Sequence, residues 1–188
     1  MFIQTEETPN PNTLKFLPGQ VLSPDGNYDF RSVAAAAISP LAGRLFEVDG
    51  VEGVFIGPNF LSVTKNNQWD WYVLKPMILG ALMEHLVAKK PVIALSPAKD
   101  TATALANDTD QEEDPIVAHI KDLLDTRIRP AVAMDGGDIV FVKFDKGIVY
   151  LTLQGACSGC PSSTATLKDG IENMLKHYVP EVHEVQAV

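Results

Sequence analysis

The stretch GACSGCPSST, residues 155–164, holds both cysteines of the chain, Cys157 and Cys160, in a CxxC spacing. Thiols so spaced suit three chemistries: a dithiol that cycles with a disulfide, half of a zinc site, or half of an iron-sulfur site. Gly155 and Gly159 permit a tight turn, and Ser162, Ser163 and Thr164 are small capping residues for a helix that the downstream apolar spacing predicts. A helix starting here aims unpaired N–H groups at the motif, which makes Cys160 more acidic than an ordinary thiol, whose pKa is about 8.5. Inert packing fits the neighbourhood poorly, because glycines and polar residues surround the pair whereas structural cysteines sit among apolar side chains.

Ligand counting narrows the metal readings. Structural zinc takes four protein ligands and iron-sulfur clusters mostly take four cysteines, but this chain has two. His177 and His183 are the histidines that could complete a Cys₂His₂ site. His177 falls near the far end of the helix that begins at the motif, about 25 Å from Cys160 at the rise of an α-helix, and reads as a surface histidine at a helix C-terminus. A second copy of the chain could instead bring its own Cys157 and Cys160 across a two-fold axis, so that four thiolates meet at one interface. A cluster held by an interface can leave when the interface opens. The dithiol reading stays beside this one, although a thioredoxin-like unit needs a βαβ crossover, and too little chain is expected after the last helix for more sheet. In MDGGD, residues 134–138, Asp135 and Asp138 around two glycines read as a turn into a strand rather than a divalent-cation site.

The elements that must hold this loop are legible on both sides. Asp114 caps and Pro115 opens a helix whose stripe is Ile116, Val117, Ile120, Leu123, Leu124 and Ile128, with Pro130 expected to stop it. DIVFVKF and GIVYLTL flank DKG as a hairpin. Leu167, Ile171, Met174, Leu175 and Tyr178 give the helix after the cysteines its apolar face, and Pro180 lies beyond its end. The order helix, hairpin, cysteine loop, helix predicts a small sheet with both helices on one face.

Upstream, residues 96–113 lose hydrophobic periodicity and turn small, polar and acidic, which reads as a flexible linker. The expected organisation is therefore α+β throughout: a domain over 1–95, the linker over 96–113, and a second domain over 114–188. In the first, residues 2–7 and 13–19 read as strands around the Asn-Pro punctuation. Ser39 and Pro40 open a short helix, and residues 51–57 and 60–65 form a hairpin. A long helix after Trp69 has Leu79, Leu82, Met83 and Leu86 on one face and a possible break at Pro76. Trp69 and Trp71 beside its start read as core.

With 188 residues and a 46% apolar fraction, the chain builds cores without staples. The net charge of −9 argues against a nucleic-acid surface. The longest apolar run, residues 76–88, is interrupted by Glu84 and His85 and is too short to cross a bilayer, so no membrane partner is expected. The first residues carry no signal or transit character, and the cysteine usage suits a reducing compartment: a bacterial cytoplasm, or a mitochondrial matrix after processing.

At these residues the chain resembles the Nfu family of NifU-like iron-sulfur cluster carriers. LLDTRIRPAVAMDGGDI and LQGACSGCPSSTATLKDGIENMLKHYVPEV carry the likeness to the NifU-like module. Met134 is a mild departure where the family often has an acidic residue. FIQTEETPNPNTLKFLPG and RLFEVDGVEGVFIGPNFLSVTK are similar to the Nfu N-terminal domain. The resemblance implies a non-enzymatic scaffold that carries a [4Fe-4S] cluster between Cys157 and Cys160 of two subunits. It would receive the cluster from upstream assembly proteins and deliver it to apo-proteins. The N-terminal domain would assist partner recognition, with Trp69 and Trp71 as possible contributors. The alternatives are a dithiol redox or persulfide carrier using the same pair, and a target adaptor dominated by the N-terminal domain.

Overall fold

The computed structural model describes residues 2–94, 114–158 and 161–188, the last range by backbone alone over 161–164. The expected linker at 96–113 and Cys160 lie outside the described residues. The chain divides into two compact units, Met1–Lys99 and Asp100–Val188.

The first unit is a five-stranded antiparallel sheet, ordered β1-β2-β5-β4-β3, from β1 (Gln4–Glu7), β2 (Thr13–Leu17), β3 (Tyr28–Phe30), β4 (Val51–Ile56) and β5 (Leu61–Lys65). Helices α1 (Pro40–Phe46) and α2 (Trp71–Val87) share its core with Leu14, Phe16, Val54, Ile56, Leu61 and Val63. Ser39 caps α1 as expected, accepting from the Ala42 N–H at 3.0 Å, and Pro40 opens the helix. Helix α2 differs from expectation in two respects. It runs through Pro76, which lies on the exposed side and gives up one intrahelical donor there. Its buried stripe is Leu74, Ile78, Leu82, His85 and Leu86, whereas Met83 faces out at 41% exposure. Strand β3, three residues long, was not legible in the sequence.

The second unit places α3 (Pro115–Leu123), a π-helical turn (Leu124–Ile128), α4 (Arg129–Met134) and α5 (Pro161–Tyr178) against a sheet of β6 (Gly137–Asp145), β7 (Ile148–Gly155) and β8 (Glu184–Ala187). Asp114 accepts from the Ile116 N–H at 3.0 Å, the expected cap. Pro130 does not stop the helical run: the wider π turn before it gives its ring room where an α-helix would set a carbonyl, and α4 continues to Met134. The hairpin β6–β7 closes on Lys146 and Gly147, both at positive φ (50° and 83°), the backbone of a two-residue primed turn. Ile139, Val149, Leu151 and Val185 are buried among the helices.

The expectation that no sheet follows the last helix is incorrect. Strand β8 pairs in parallel with β7, Ile148 opposite Glu184 through Leu151 opposite Ala187, and α5 is the crossover between them. The cysteine loop therefore lies inside a β7-α5-β8 unit.

Candidate functional site

The loop that carries Cys157 is held by the segment MDGGD, residues 134–138. Strand β7 ends at Gly155, which pairs with Gly137 at the start of β6. Gly155 and Gly136 stand at φ 62° and 80°, backbone that favours glycine. The Ala156 N–H donates to the Gly136 carbonyl at 3.2 Å, and the Ser158 N–H donates back to the Gly155 carbonyl at 3.1 Å, so the chain reverses at Ala156–Cys157. Gly137 is where the two segments touch. A Cβ there would stand 2.6 Å from Cys157 Sγ, 2.6 Å from the Gln154 carbonyl oxygen and 3.0 Å from the Cys157 nitrogen, all inside the ~3.5 Å of ordinary contact. The thiol thus fills the volume that a side chain at 137 would take.

Cys157 is 5% exposed and belongs to the buried core of the second unit, the cluster that includes Ile120, Val132, Ile139, Leu151 and Ile171. Polar surroundings, expected from the neighbouring residue types, do not describe this thiol, because the fold tucks the first cysteine under its own loop. Helix α5 begins one residue beyond Cys160, in keeping with the expected helix start, and the capping residues Ser162, Ser163 and Thr164 fall among the residues described by backbone alone.

The MDGGD segment is itself pinned from α4. Arg129 Nη2 donates to Asp138 Oδ2 at 3.4 Å, its Nε stands 3.1 Å from Asp138 Oδ1 in the same ion pair, and Nη1 donates to Asp125 Oδ1 at 2.9 Å. Arg129 Nε also donates to the Ile139 carbonyl at 3.2 Å. Asp138 is buried, whereas Asp135 is exposed. The two carboxylates do not converge, as the turn reading expects. Arg129 and Gly137 are the residues that sequence reasoning missed; the adjacent glycines before a β-branched run were the available signal.

The two histidines weighed as zinc ligands lie elsewhere. The His177 ring packs edge-on against Tyr178, centroids 4.9 Å apart, in the last turn of α5. The His183 N–H donates to the Gly147 carbonyl at 2.7 Å, beside the start of β7, and Gly155 ends that eight-residue strand about 25 Å away. Among the described residues no group of three or more His, Cys, Asp or Glu side chains could hold a metal ion. In the first unit both tryptophans pack on the core, and Trp71 Nε1 donates to the Pro11 carbonyl at 3.0 Å.

Comparison with known proteins matches both units. Residues 3–89 match the model of the scaffold protein Nfu/NifU N-terminal domain, and residues 120–186 match that of the NifU-like domain. The chain is 49% identical over its whole length to the human NFU1 iron-sulfur cluster scaffold homolog, mitochondrial, of which it spans 72%. It is also 49% identical to the protein of that name from Drosophila willistoni, of which it spans 64%. A NifU-like protein from Saccharomyces cerevisiae, solved in solution, is 30% identical with a TM-score of 0.46, covering 50% of this chain and 85% of that one.

Proposed function

The chain belongs to the Nfu family of NifU-like scaffold proteins, and on that footing we propose that it assembles and transfers an iron-sulfur cluster, holding it as cargo rather than as a catalytic group. The ligands are Cys157 and Cys160, with the matching pair of a second copy completing four thiolates around a [4Fe-4S] cluster. The carrying observation is Cys157 at the β7–α5 turn, its sulfur seated over Gly137 in a chain that has two cysteines in all. A loop supplying two thiolates is half a ligand set, and a two-fold interface supplies the other half. The N-terminus of α5 favours the thiolate form that iron requires. Because Cys157 is 5% exposed, binding draws its sulfur outward from the Gly137 seat. That seat also returns the empty loop to a defined shape after release.

Partners follow from this role: upstream assembly proteins give the cluster, and apo iron-sulfur proteins take it. No enzymatic step is assigned to the chain itself. The human and fly relatives are named as mitochondrial, which favours the mitochondrial matrix over the bacterial cytoplasm expected first. The test is anaerobic reconstitution. The wild type should take up about four irons and four sulfides per two chains with thiolate-to-iron charge-transfer absorption. Cys157→Ser and Cys160→Ser should each abolish it. Retention of the cluster by both variants would overturn the assignment.

A second reading, a dithiol or persulfide carrier, is favoured by one observation: the motif lies within a β7-α5-β8 crossover, which removes one argument against redox chemistry. Disulfide exchange by metal-free protein with a defined two-electron midpoint would support it, and its absence would dismiss it.

A further inference from the structure

Between β1 and the start of α2 the first unit carries a groove of about 470 Å³, whose walls include Thr5, Glu7, Pro11, Leu14, Trp71 and Lys75. That volume falls within the ~300–1,000 Å³ of sites that hold a ligand. Strand alternation explains one wall. Thr5 and Glu7 stand opposite Phe16 and Leu14, on the face that the helices cover. Glu6 stands opposite Lys15 on the other face and pairs with it at 3.4 Å. Helix α2 supplies the second wall through Trp71 and Lys75, four residues apart and therefore on one side of the helix.

The groove is built before anything enters it. The Trp71 indole is fixed by its Nε1 donating to the Pro11 carbonyl at 3.0 Å. Pro9 and Pro11 restrict φ along the rim, where the Asn12 N–H donates to Asn10 Oδ1 at 3.0 Å and the Thr13 N–H to the Asn10 carbonyl at 2.9 Å. Two charges in it are unmatched. Among the described residues neither the Glu7 carboxylate nor the Lys75 ammonium has an ion-pair or hydrogen-bond partner, and the two do not pair with each other although they line one cavity. Strand β1 is also the end of the sheet order, so its outer edge pairs with no strand among the described residues. An open strand edge accepts an added strand, whose main chain supplies affinity and whose alternate side chains supply specificity.

From this we infer that the groove is a docking site for an extended segment of a partner protein, which adds to the edge of β1 and presents a basic side chain to Glu7, an acidic one to Lys75 and an apolar one to Trp71. In an extended chain alternate side chains point the same way, so the acid and the base of the segment stand two residues apart. Charge complementarity selects a segment that carries both signs. A wholly acidic one would set a like charge against Glu7, and a wholly basic one would do the same to Lys75. The contact uses no thiol and stands apart from the cluster reading; it gives the first unit a means of choosing which proteins the chain engages.

The test is an amide chemical-shift titration of the full-length, metal-free chain. The probe is a pool of blocked eight-residue peptides that carry Lys and Glu two apart, in either order, among mixed Thr, Val and Leu. Shifts should be confined to residues 4–14 and 70–76, and hydrogen exchange along β1 should slow. Glu7→Lys and Lys75→Glu should each weaken binding about tenfold, since each removes an attraction and adds a repulsion of similar size. Both should keep the melting temperature and the iron uptake of the wild type, because neither residue has a partner within the chain and neither lies in the cysteine loop. The double reversal should bind again, with its preference between the two orders of Lys and Glu inverted. No shift at millimolar pool, shifts centred outside the groove, or unchanged affinity in both single reversals would overturn the inference. Free glutamine binding as tightly as the peptides would overturn it as well, because the site would then hold a small zwitterion rather than an extended chain.

Discussion

Replacing Gly137 with alanine places a methyl group where the Cys157 sulfur rests, and the structure permits the consequence to be sized. The new carbon would sit 2.6 Å from Sγ and 2.6 Å from the Gln154 carbonyl, close to 1 Å inside ordinary contact on two sides. The thiol can move; the carbonyl belongs to the β6–β7 ladder and cannot move without opening the Gly137–Gly155 pair. Overpacking of this kind costs about 1–3 kcal/mol, partly offset by the few tenths that alanine gains through a stiffer unfolded chain. For a unit of this size about 2 kcal/mol lowers the melting temperature by roughly 8–16 °C. Gly147→Ala is the matched control. It strains the other end of β7, where φ is 83° and the added carbon meets the His183 ring, so it should destabilise comparably. It lies about 25 Å from Gly155, the end of β7 that leads into Cys157. Both variants should melt early, and Gly137→Ala alone should lose cluster after anaerobic reconstitution below its melting range, read as iron per chain. Equal iron in the two variants would refute the claim that Gly137 seats the ligand.

Arg129→Ala removes the ion-pair partner and a hydrogen-bond donor of buried Asp138 and should cost about 1–3 kcal/mol by chemical denaturation, with faster cluster loss, because it unpins the segment that carries Gly136 and Gly137. Burial holds the His85 imidazole below its ordinary value of about 6.5, against a weaker upward pull from the Pro91 carbonyl. As the pH falls below that value the unfolded chain therefore takes up a proton before the folded one. Stability of the first unit should drop through the interval and level off once the folded ring is charged, and His85→Gln should flatten the slope in melts between about pH 7.5 and 5. Glu172 is held below the usual carboxylate range by the hydrogen bond from Lys176 and then by that from the Val185 N–H. Its contribution is present above the ordinary value near 4.3 and lost as the pH falls through the lower folded one, and Glu172→Gln should speed amide exchange at Val185, which ties β8 to α5.

Local chemistry was legible in the sequence; contacts between distant segments were not. The DKG turn between β-branched runs, the Ser39 and Asp114 caps and the apolar spacing of α5 all act within a few residues, and each element formed as the residue types predict, except that Tyr178 at the end of the α5 stripe is exposed. Strand β8 escaped notice because four residues, EVQA, carry too short an alternation to read, and its partner β7 lies across a whole helix. Pro130 misled because a π turn accommodates it, and Met83 because α2 is apolar on both faces, so spacing alone cannot say which one is buried. The site divides the same way. The cysteine spacing stands in the sequence, whereas the seat beneath Cys157 is made by a glycine twenty residues away across a hairpin.

The central claim is that one cluster is shared by two chains through their cysteine loops. Native mass spectrometry of the anaerobically reconstituted full-length protein tests it most directly. The account predicts a species of two chains plus one [4Fe-4S] unit, lost in Cys157→Ser and Cys160→Ser. A single chain carrying the cluster, or a loaded dimer that persists without these cysteines, would contradict it.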